Sequence, residues 1–305
     1  MIEVGEYELV RQSVGVIDRS DRGKLRLLGD EAADFLQGQV TNDVEALDAG
    51  TGCYAALLNH KGKVRTDMRV LRADGWIWLD TEPGFQELLA RTVEMYGIGR
   101  DVKAEDVTTG YAILSLLGPG ARAALDSPPP ESEHAFVEGD HGIYVSTLGG
   151  VDVICEANRA DEVRAALGAE ELSAEVAECL RIEAGRPRFG ADFDADTIPE
   201  EAGLNERAVS FTKGCYIGQE TVARLHYKGK PNRHLRGLKL SGEAHPGDEL
   251  RLGERSVGAL GSVAVSPTHG PIALAVVRRE AEPGDVLDVG DSGVTAQVVE
   301  LPFES

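Results

Sequence analysis

The sequence is poor in cysteine, in aromatic residues and in long apolar runs. Its four cysteines are far apart and form no Cys-x-x-Cys pair, so it predicts neither a disulfide framework nor a metal site. No apolar run reaches the roughly 18 residues of a membrane span. The first eleven residues carry three glutamates and lack the basic flank of a signal peptide. We therefore expect a cytoplasmic protein that is neither exported nor membrane-spanning.

Cations are also scarce, because 31 Lys and Arg face 52 Asp and Glu, a formal net charge of −21. Such a field repels phosphate backbones and anionic lipids, which excludes generic nucleic-acid binding and membrane-surface binding. A specific cationic partner and adaptation to a high-salt cytoplasm both explain the acidity. The acids are spread along the chain rather than gathered in a tail, which favours adaptation to salt.

Apolar patterning predicts a mixture of helices and antiparallel hairpins, hence the α+β class. Helices are predicted near residues 30–43, 85–96, 121–125, 160–167, 172–184 and 219–227. Strands are predicted at residues 54–58, 64–71, 76–79, 111–117, 142–147 and 151–156. From about Leu235 short apolar runs separated by Pro and Gly predict a small β-barrel or sandwich.

The predicted helix over residues 172–184 places a carboxylate on its apolar face. Ser173 is a plausible N-cap and Gly185 a stop, and Glu183 falls on the same face as Val176 and Cys179 at 100° per residue. An unpaired buried carboxylate costs several kcal/mol, so a partner is required. A salt bridge to Arg186 or Arg188 and a ligand with adjacent N–H donors, such as a pterin, both satisfy it.

The second candidate site is the segment Lys213-Gly214-Cys215-Tyr216-Ile217-Gly218-Gln219-Glu220. Gly218 can cap a helix that starts near Gln219, so Cys215 lies beside the positive end of that helix. This position and nearby Lys213 favour the thiolate, the form that acts as nucleophile or metal ligand. The alternative is a packed structural thiol.

This segment closely resembles the K-G-C-[aromatic]-x-G-Q-E signature of the YgfZ family, a branch of the glycine-cleavage T-protein superfamily. The segment Arg181-Ile182-Glu183-Ala184-Gly185-Arg186-Pro187 resembles the R-x-E-A-G-x-P stretch of T-proteins. The likeness covers most of residues 20–240. It implies a T-protein-like folate-binding fold around a central channel over residues 1–232, in two interleaved α+β subdomains, and a C-terminal β-barrel domain over 233–305.

The resemblance also implies roles for individual residues. The family's pterin-binding glutamate corresponds to Glu183, its signature cysteine to Cys215, and a downstream basic residue that contacts tetrahydrofolate to Arg224. Arg224 also follows Glu220 by four residues, so an ordinary helical ion pair is the alternative. The catalytic Asp-Asp pair of T-proteins corresponds to Thr66-Asp67, in which one aspartate is replaced.

Two functions remain open. The first is a folate-dependent factor that assists the assembly or repair of iron–sulfur client proteins through Cys215. A single thiolate cannot hold a cluster alone, since clusters normally take four ligands. The second is an aminomethyltransferase with Asp67 as its acid–base group, although Asp67 also shares a strand face with Arg65 and Arg69 and fits a surface charge ladder. Cys215 and the replaced aspartate favour the first.

Overall fold

The structure, a computed structural model, describes residues 4–303 and contains three sheets with short helices packed against them. None of the helices in this part of the chain is long and apolar enough to cross a membrane. The α-helices are α1 (Val4–Gln12), α2 (Ala32–Gln37), α3 (Gln86–Tyr96), α4 (Ala160–Leu167), α5 (Ala174–Glu183), α6 (Asn205–Ala208) and α7 (Gln219–Lys228).

The first sheet is an antiparallel sheet of five strands. These are β2 (Gly23–Leu28), β3 (Thr51–Leu58), β4 (Val64–Ala73), β5 (Trp76–Thr81) and β6 (Lys103–Asp106), in the spatial order β3-β4-β5-β2-β6. Two tight hairpins join β3 to β4 and β4 to β5 at the predicted turns. Leu25, Phe35 and Leu79 belong to the core that α2 and α3 close over one face.

The second sheet interleaves with the first along the chain. It contains β1 (Gly15–Asp18), β7 (Tyr111–Leu117), β8 (Phe136–Gly139), β9 (Gly142–Thr147), β10 (Gly150–Glu156) and β11 (Glu170–Glu171), in the order β11-β1-β7-β10-β9-β8. Only β1 and β11 pair in parallel. Since β1 precedes the whole first sheet in sequence, the first sheet is inserted between β1 and β7.

The third sheet lies entirely after residue 232 and curls into a half-barrel. Its strands are β12 (Arg233–Leu240), β13 (Glu249–Leu252), β14 (Arg255–Ala259), β15 (Val263–Ser266), β16 (Gly270–Arg278), β17 (Val286–Val289) and β18 (Val294–Val299). The order β14-β13-β17-β18-β12-β16-β15 separates β14 from β16 by four strands. Curling of the sheet nevertheless brings β14 and β16 together. A Cβ atom added to Gly258 of β14 would lie 2.9 Å from the carbonyl oxygen of Val276 of β16.

A buried ionic network joins the first two sheets. The Arg69 guanidinium donates to Asp80 at 2.7 Å and to Asp152 of the second sheet at 2.6 Å. Arg22 donates to the other Asp80 oxygen at 2.8 Å, and Ser115 donates to Asp152 at 2.6 Å. Although burial alone raises it, the two guanidiniums hold the pKa of Asp80 below its ordinary value. The network thus contains the charges that fix how the two sheets pack.

The α+β class and the β-rich tail are confirmed, while two local predictions are wrong. Residues 121–125 form turns rather than a helix, since Pro and Gly flank a stretch too short to repay helix nucleation. The helix predicted over residues 30–43 is only α2. It ends early because the Lys213 ammonium binds the carbonyl oxygens of Gln37, Val40 and Asn42 at 2.6–2.8 Å, which holds the following residues in a non-helical turn.

Candidate functional site

Asp67 lies on β4 within a buried polar cluster. Arg69 of β4 pairs directly with Tyr54 of β3, and alternation puts Tyr54, Asp67 and Arg69 on one face of the sheet. The Tyr54 hydroxyl donates to Asp67 Oδ2 at 2.7 Å. Asp67 and Arg69 are only 2% and 5% exposed. The alternative of a surface charge ladder is therefore wrong.

The chemistry of Asp67 follows from this burial. Loss of solvent raises the pKa of Asp67 to about 6, although the Tyr54 hydrogen bond opposes the shift. A carboxyl group with a pKa near neutrality can both accept and release a proton at cellular pH. The position is therefore competent for acid–base work.

Three further residues complete the Tyr54–Asp67 cluster, defined as Tyr54, Asp67, Glu133, Arg186 and Arg207. The Arg207 guanidinium lies 4.0 Å above the Tyr54 ring and binds Glu133 at 2.8 Å. Arg186 faces the same groups, and burial together with the like charge of Arg207 lowers its pKa. From the sequence, Arg186 is expected only as a partner of Glu183, and no role is predicted for Tyr54, Glu133 or Arg207.

His134 borders this cluster in an unusual conformation. It is the one non-glycine residue with a left-handed backbone between residues 4 and 303, at φ 68°, and it is 6% exposed. Its ring stacks on Tyr54 at 6.3 Å, and neither ring nitrogen forms a hydrogen bond. Burial lowers the pKa of His134 to about 4, so the imidazole is neutral at physiological pH.

Glu183 is buried on the apolar face of α5, as predicted, at 7% exposure. Its Oε1 accepts hydrogen bonds from the hydroxyls of Tyr7 at 2.9 Å and Ser266 at 2.6 Å and from the Cys179 thiol at 3.4 Å. Its Oε2 accepts a bond only from Tyr7, at 3.1 Å, among the residues that the structure describes. Three elements thus satisfy the carboxylate, and no cation of residues 4–303 forms an ion pair with it.

Of the two alternatives for Glu183, the salt bridge to Arg186 or Arg188 is wrong. Arg188 pairs with Glu178 at 3.2 Å, and Arg186 turns to the Tyr54–Asp67 cluster. The physical reason is that the hydroxyls of Tyr7 and Ser266, from α1 and the barrel, already bind the carboxylate.

Ser173 is the N-cap residue of α5 as predicted, but its side chain donates to Glu6 instead of capping its own helix.

Cys215 is exposed on a loop that is fixed on both sides. Lys213, 8% exposed, caps the end of α2, and Tyr216, also 8% exposed, packs into a core with Val222. Gly218 is the N-cap of α7 at φ 84°, as the sequence predicts. The Lys213 ammonium donates to the carbonyl oxygens of Gln37, Val40 and Asn42. Among the four cysteines, Cys215 is the one exposed thiol.

Arg224 lies on the exposed side of α7. The alternative for Arg224, an ion pair with Glu220, does not occur among the ion pairs of residues 4–303. Its assignment to folate stays a prediction, as does that of Glu183.

The structure does not join the four predicted residues into one hydrogen-bonded site. Asp67 belongs to the first sheet, and Glu183 lies where α1, α5 and the barrel meet. Cys215 lies on the loop before α7, and Arg224 lies on α7 itself. A cleft of about 850 Å³ lies between residues 190–201 and the barrel strands β14 and β16, and none of these four residues lines it. Within residues 4–303 no three His, Cys, Asp or Glu side chains converge as metal ligands.

The three-sheet fold is that of the glycine-cleavage T-protein class. A solved structure of the glycine cleavage system aminomethyltransferase T from Bartonella henselae superimposes with a TM-score of 0.89, covering 99% of this chain and 89% of that one at 23% identity. Residues 2–138 match the GCVT N-terminal domain, and residues 233–304 match the glycine cleavage T-protein C-terminal barrel domain.

Two relatives named as aminomethyltransferases align with nearly the whole length of this chain. A probable aminomethyltransferase from Natronomonas pharaonis is 31% identical, with 98% of this chain and 89% of the relative aligned. An aminomethyltransferase from Synechococcus sp. is 30% identical, with 98% and 90% aligned. The chain therefore belongs to the aminomethyltransferase family of glycine-cleavage T-proteins.

Proposed function

We propose that this chain binds tetrahydrofolate through its T-protein-like region, residues 1–232, and acts with Cys215 in the assembly or repair of iron–sulfur proteins. The observation that carries the proposal is the exposed Cys215, whose loop is fixed by buried Lys213 and Tyr216. A packed structural thiol has no need of exposure. Membership of the YgfZ branch within the family is part of the same proposal.

The folate part of the proposal rests on two acidic positions. Glu183 presents an oxygen, Oε2, that accepts a single long hydrogen bond, and a pterin offers two parallel N–H donors to a carboxylate. Binding there exchanges the hydroxyls of Tyr7 and Ser266 for ring N–H groups. Asp67, with a pKa of about 6, supplies a proton-exchanging group, and the cationic Arg186 and Arg224 are candidates for the anionic end of folate.

Replacing Glu183 by glutamine is expected to weaken tetrahydrofolate binding at least about tenfold, or about 1.4 kcal/mol. Glutamine keeps the shape of the side chain but offers one acceptor oxygen instead of two. A fluorescence or calorimetric titration with tetrahydrofolate measures the effect.

Tyr7→Phe is the matched control for this titration. It removes the hydroxyl that donates to both Glu183 oxygens but leaves the carboxylate intact, so binding should stay within about threefold of wild type. Equal weakening in both variants, or none in Glu183→Gln, would show that Glu183 is purely structural and would remove the pterin assignment.

Cys215→Ser is expected to abolish the rescue of iron–sulfur enzyme activity in a strain that lacks this protein. The hydroxyl cannot form the thiolate that attacks, transfers or ligates. The measurement is aconitase-type activity in extracts of strains that carry wild type or variant at equal protein level.

The control is Cys53→Ser, which changes a half-buried thiol whose pKa burial raises to about 12. This variant should rescue as well as wild type. If Cys215→Ser also rescues fully, the cysteine-based function is contradicted.

The alternative function, aminomethyl transfer from a lipoylated carrier protein to tetrahydrofolate, is favoured by one observation. Asp67 is buried beside Tyr54 with a pKa near neutrality, which suits proton transfer at the reacting folate nitrogen. Turnover with a lipoylated carrier that requires Asp67 and is indifferent to Cys215→Ser would select this alternative.

A further inference from the structure

A concentration of positive charge stands out in this acidic chain. Residues 221–242 contain six Lys and Arg and no Asp or Glu, although acids number 52 of 305 residues overall. Three of these cations, Arg224, Lys228 and Lys230, are exposed on and just after α7. None of the three forms an ion pair within the described residues. The one acid of α7, Glu220, lies in its first turn and forms no ion pair with these cations among the described residues. The chain therefore keeps three cations without an ion pair on and just after α7, despite a large excess of acids.

The turn between β3 and β4 adds to this charge. Gly62 packs against α7 so closely that a Cβ there would lie 2.8 Å from the Thr221 side chain. The neighbouring Lys61 is exposed and has no ion pair in the described part of the chain. We call Lys61, Arg224, Lys228, Lys230 and the 66%-exposed Tyr227 the α7 patch.

Stacked aromatic rings join the α7 patch to the loop that carries the exposed thiol. Phe211 stacks on His226 at 3.7 Å with rings 15° apart, and Tyr227 packs edge-on against His226 at 4.8 Å. The loop that carries Cys215 thus begins at the last turn of α7 and ends at its N-cap, Gly218. Cys215 therefore lies in a segment, residues 211–218, that extends from the C-terminal end of α7 to its N-terminal end.

We propose that the α7 patch is the docking surface for an acidic protein, whose docking brings its own reactive group to Cys215. The unpaired cations require negative charge as a complement, and exposed Tyr beside Arg is the composition of interface hot spots. A nucleic acid fits less well. Four exposed cations are too few for the six to ten phosphate contacts of a typical site, and a net charge of −21 repels a polyanion at long range.

This surface deepens the proposed function and rests on it at one point, the reactivity of Cys215, but it does not depend on folate binding. Arg224 is also a candidate for contacting folate, whereas Lys61, Lys228, Lys230 and the aromatic support have no part in the folate proposal. Loss of folate binding in Glu183→Gln would leave the α7 patch untouched, so the two proposals fail separately.

The test measures how fast Cys215 reacts with disulfides of different charge. The probe is a short glutamate-rich peptide whose single cysteine is held as a disulfide with thionitrobenzoate. The Cys215 thiolate attacks the peptide sulfur, a protein–peptide disulfide forms, and coloured thionitrobenzoate leaves with the electron pair of the broken bond. The reference probe is the same peptide with glutamine in place of glutamate.

Wild type is expected to react at least about tenfold faster with the glutamate peptide than with the glutamine peptide at low ionic strength. The ratio should fall towards one at about 1 M salt, where the Debye length is about 3 Å. It should also fall towards one in Lys228→Glu/Lys230→Glu and, less far, in Lys61→Glu, which tests the patch from a different element.

The matched control is Arg11→Glu/Lys239→Glu, which changes the net charge equally at exposed positions on α1 and β12 and should keep the wild-type ratio. A wild-type ratio near one, or an equal fall in the control, would overturn the proposal. Faster reaction of an oligonucleotide disulfide of equal charge would do so as well, because it would identify a nucleic-acid surface instead.

Discussion

Replacing Arg69 by alanine is expected to lower the free energy of unfolding by about 3–5 kcal/mol, the range observed when one partner of a buried ion pair is removed. Arg69 is 5% exposed and binds both Asp80 and Asp152. Asp80 keeps Arg22, but Asp152 keeps only the Ser115 hydroxyl. A buried carboxylate without a directly bound cation thus remains between the two sheets, with only the longer-range charge of Arg19 near it. Urea unfolding at neutral pH measures its cost.

Arg26→Ala is the control because it removes an arginine from the same sheet at its surface. Arg26 pairs with Glu105 at 3.0 Å with about a third of each side chain exposed, so the expected loss is below about 1 kcal/mol. Arg69→Ala/Asp152→Asn should recover part of the lost stability, because it removes the uncompensated charge. Equal losses for Arg69→Ala and Arg26→Ala would mean that the network is not a structural junction.

The features that depend on neighbouring residues could be predicted from the sequence, whereas those that depend on distant ones could not. The N-cap at Gly218 and the burial of Glu183 follow from local spacing and are confirmed. The partners of Glu183 lie 176 and 83 residues away, at Tyr7 and Ser266. No periodicity indicates such contacts, so the sequence offered only a nearby arginine or a ligand as the partner of Glu183, and neither alternative contains Tyr7 or Ser266.

Lys213 gives a second example of the same limit. The sequence places it two residues from Cys215 and suggests an effect on the thiol. In the structure its ammonium is bound by three carbonyls after α2, and burial lowers its pKa to about 8. Backbone carbonyls carry no sequence signature, so this use of Lys213 could not be predicted from the sequence.

The place of Tyr54 depends on an irregularity of the hairpin. Five residues separate predicted strands at residues 54–58 and 64–71, and a regular register would place Tyr54 opposite Met68, on the face away from Asp67. In the structure a β-bulge between Leu57 and Leu58 shifts the register by one residue, so that Tyr54 faces Arg69 and lies on the face of Asp67. Arg186, Glu133 and Arg207 join them from other parts of the chain, which no local rule predicts.

Two neighbouring groups have opposite effects on how stability depends on pH. The pKa of Asp67 is raised from 3.8 to about 6, so its burial costs stability as pH rises through that range. The pKa of His134 is lowered from 6.5 to about 4, so its burial costs stability as pH falls through nearly the same range. The two contributions largely cancel in the wild-type protein between about pH 4 and 6.

Asp67→Asn is therefore expected to raise the free energy of unfolding by about 2–3 kcal/mol above pH 6 and to leave it nearly unchanged at pH 4, since a shift of one pKa unit is worth about 1.4 kcal/mol. Asparagine keeps the acceptor for Tyr54 but never carries the buried negative charge. The contribution of His134 is then no longer offset by that of Asp67, so the variant should lose stability as pH falls from 6.5 to 4. Urea unfolding at pH 4, 5, 6 and 7.5 measures both effects. Asp74→Asn, in the exposed β4–β5 turn, should follow the wild-type profile. A stability difference for Asp67→Asn that is the same at every pH would show that Asp67 has no raised pKa, and its assignment as an acid–base group would lose its physical basis.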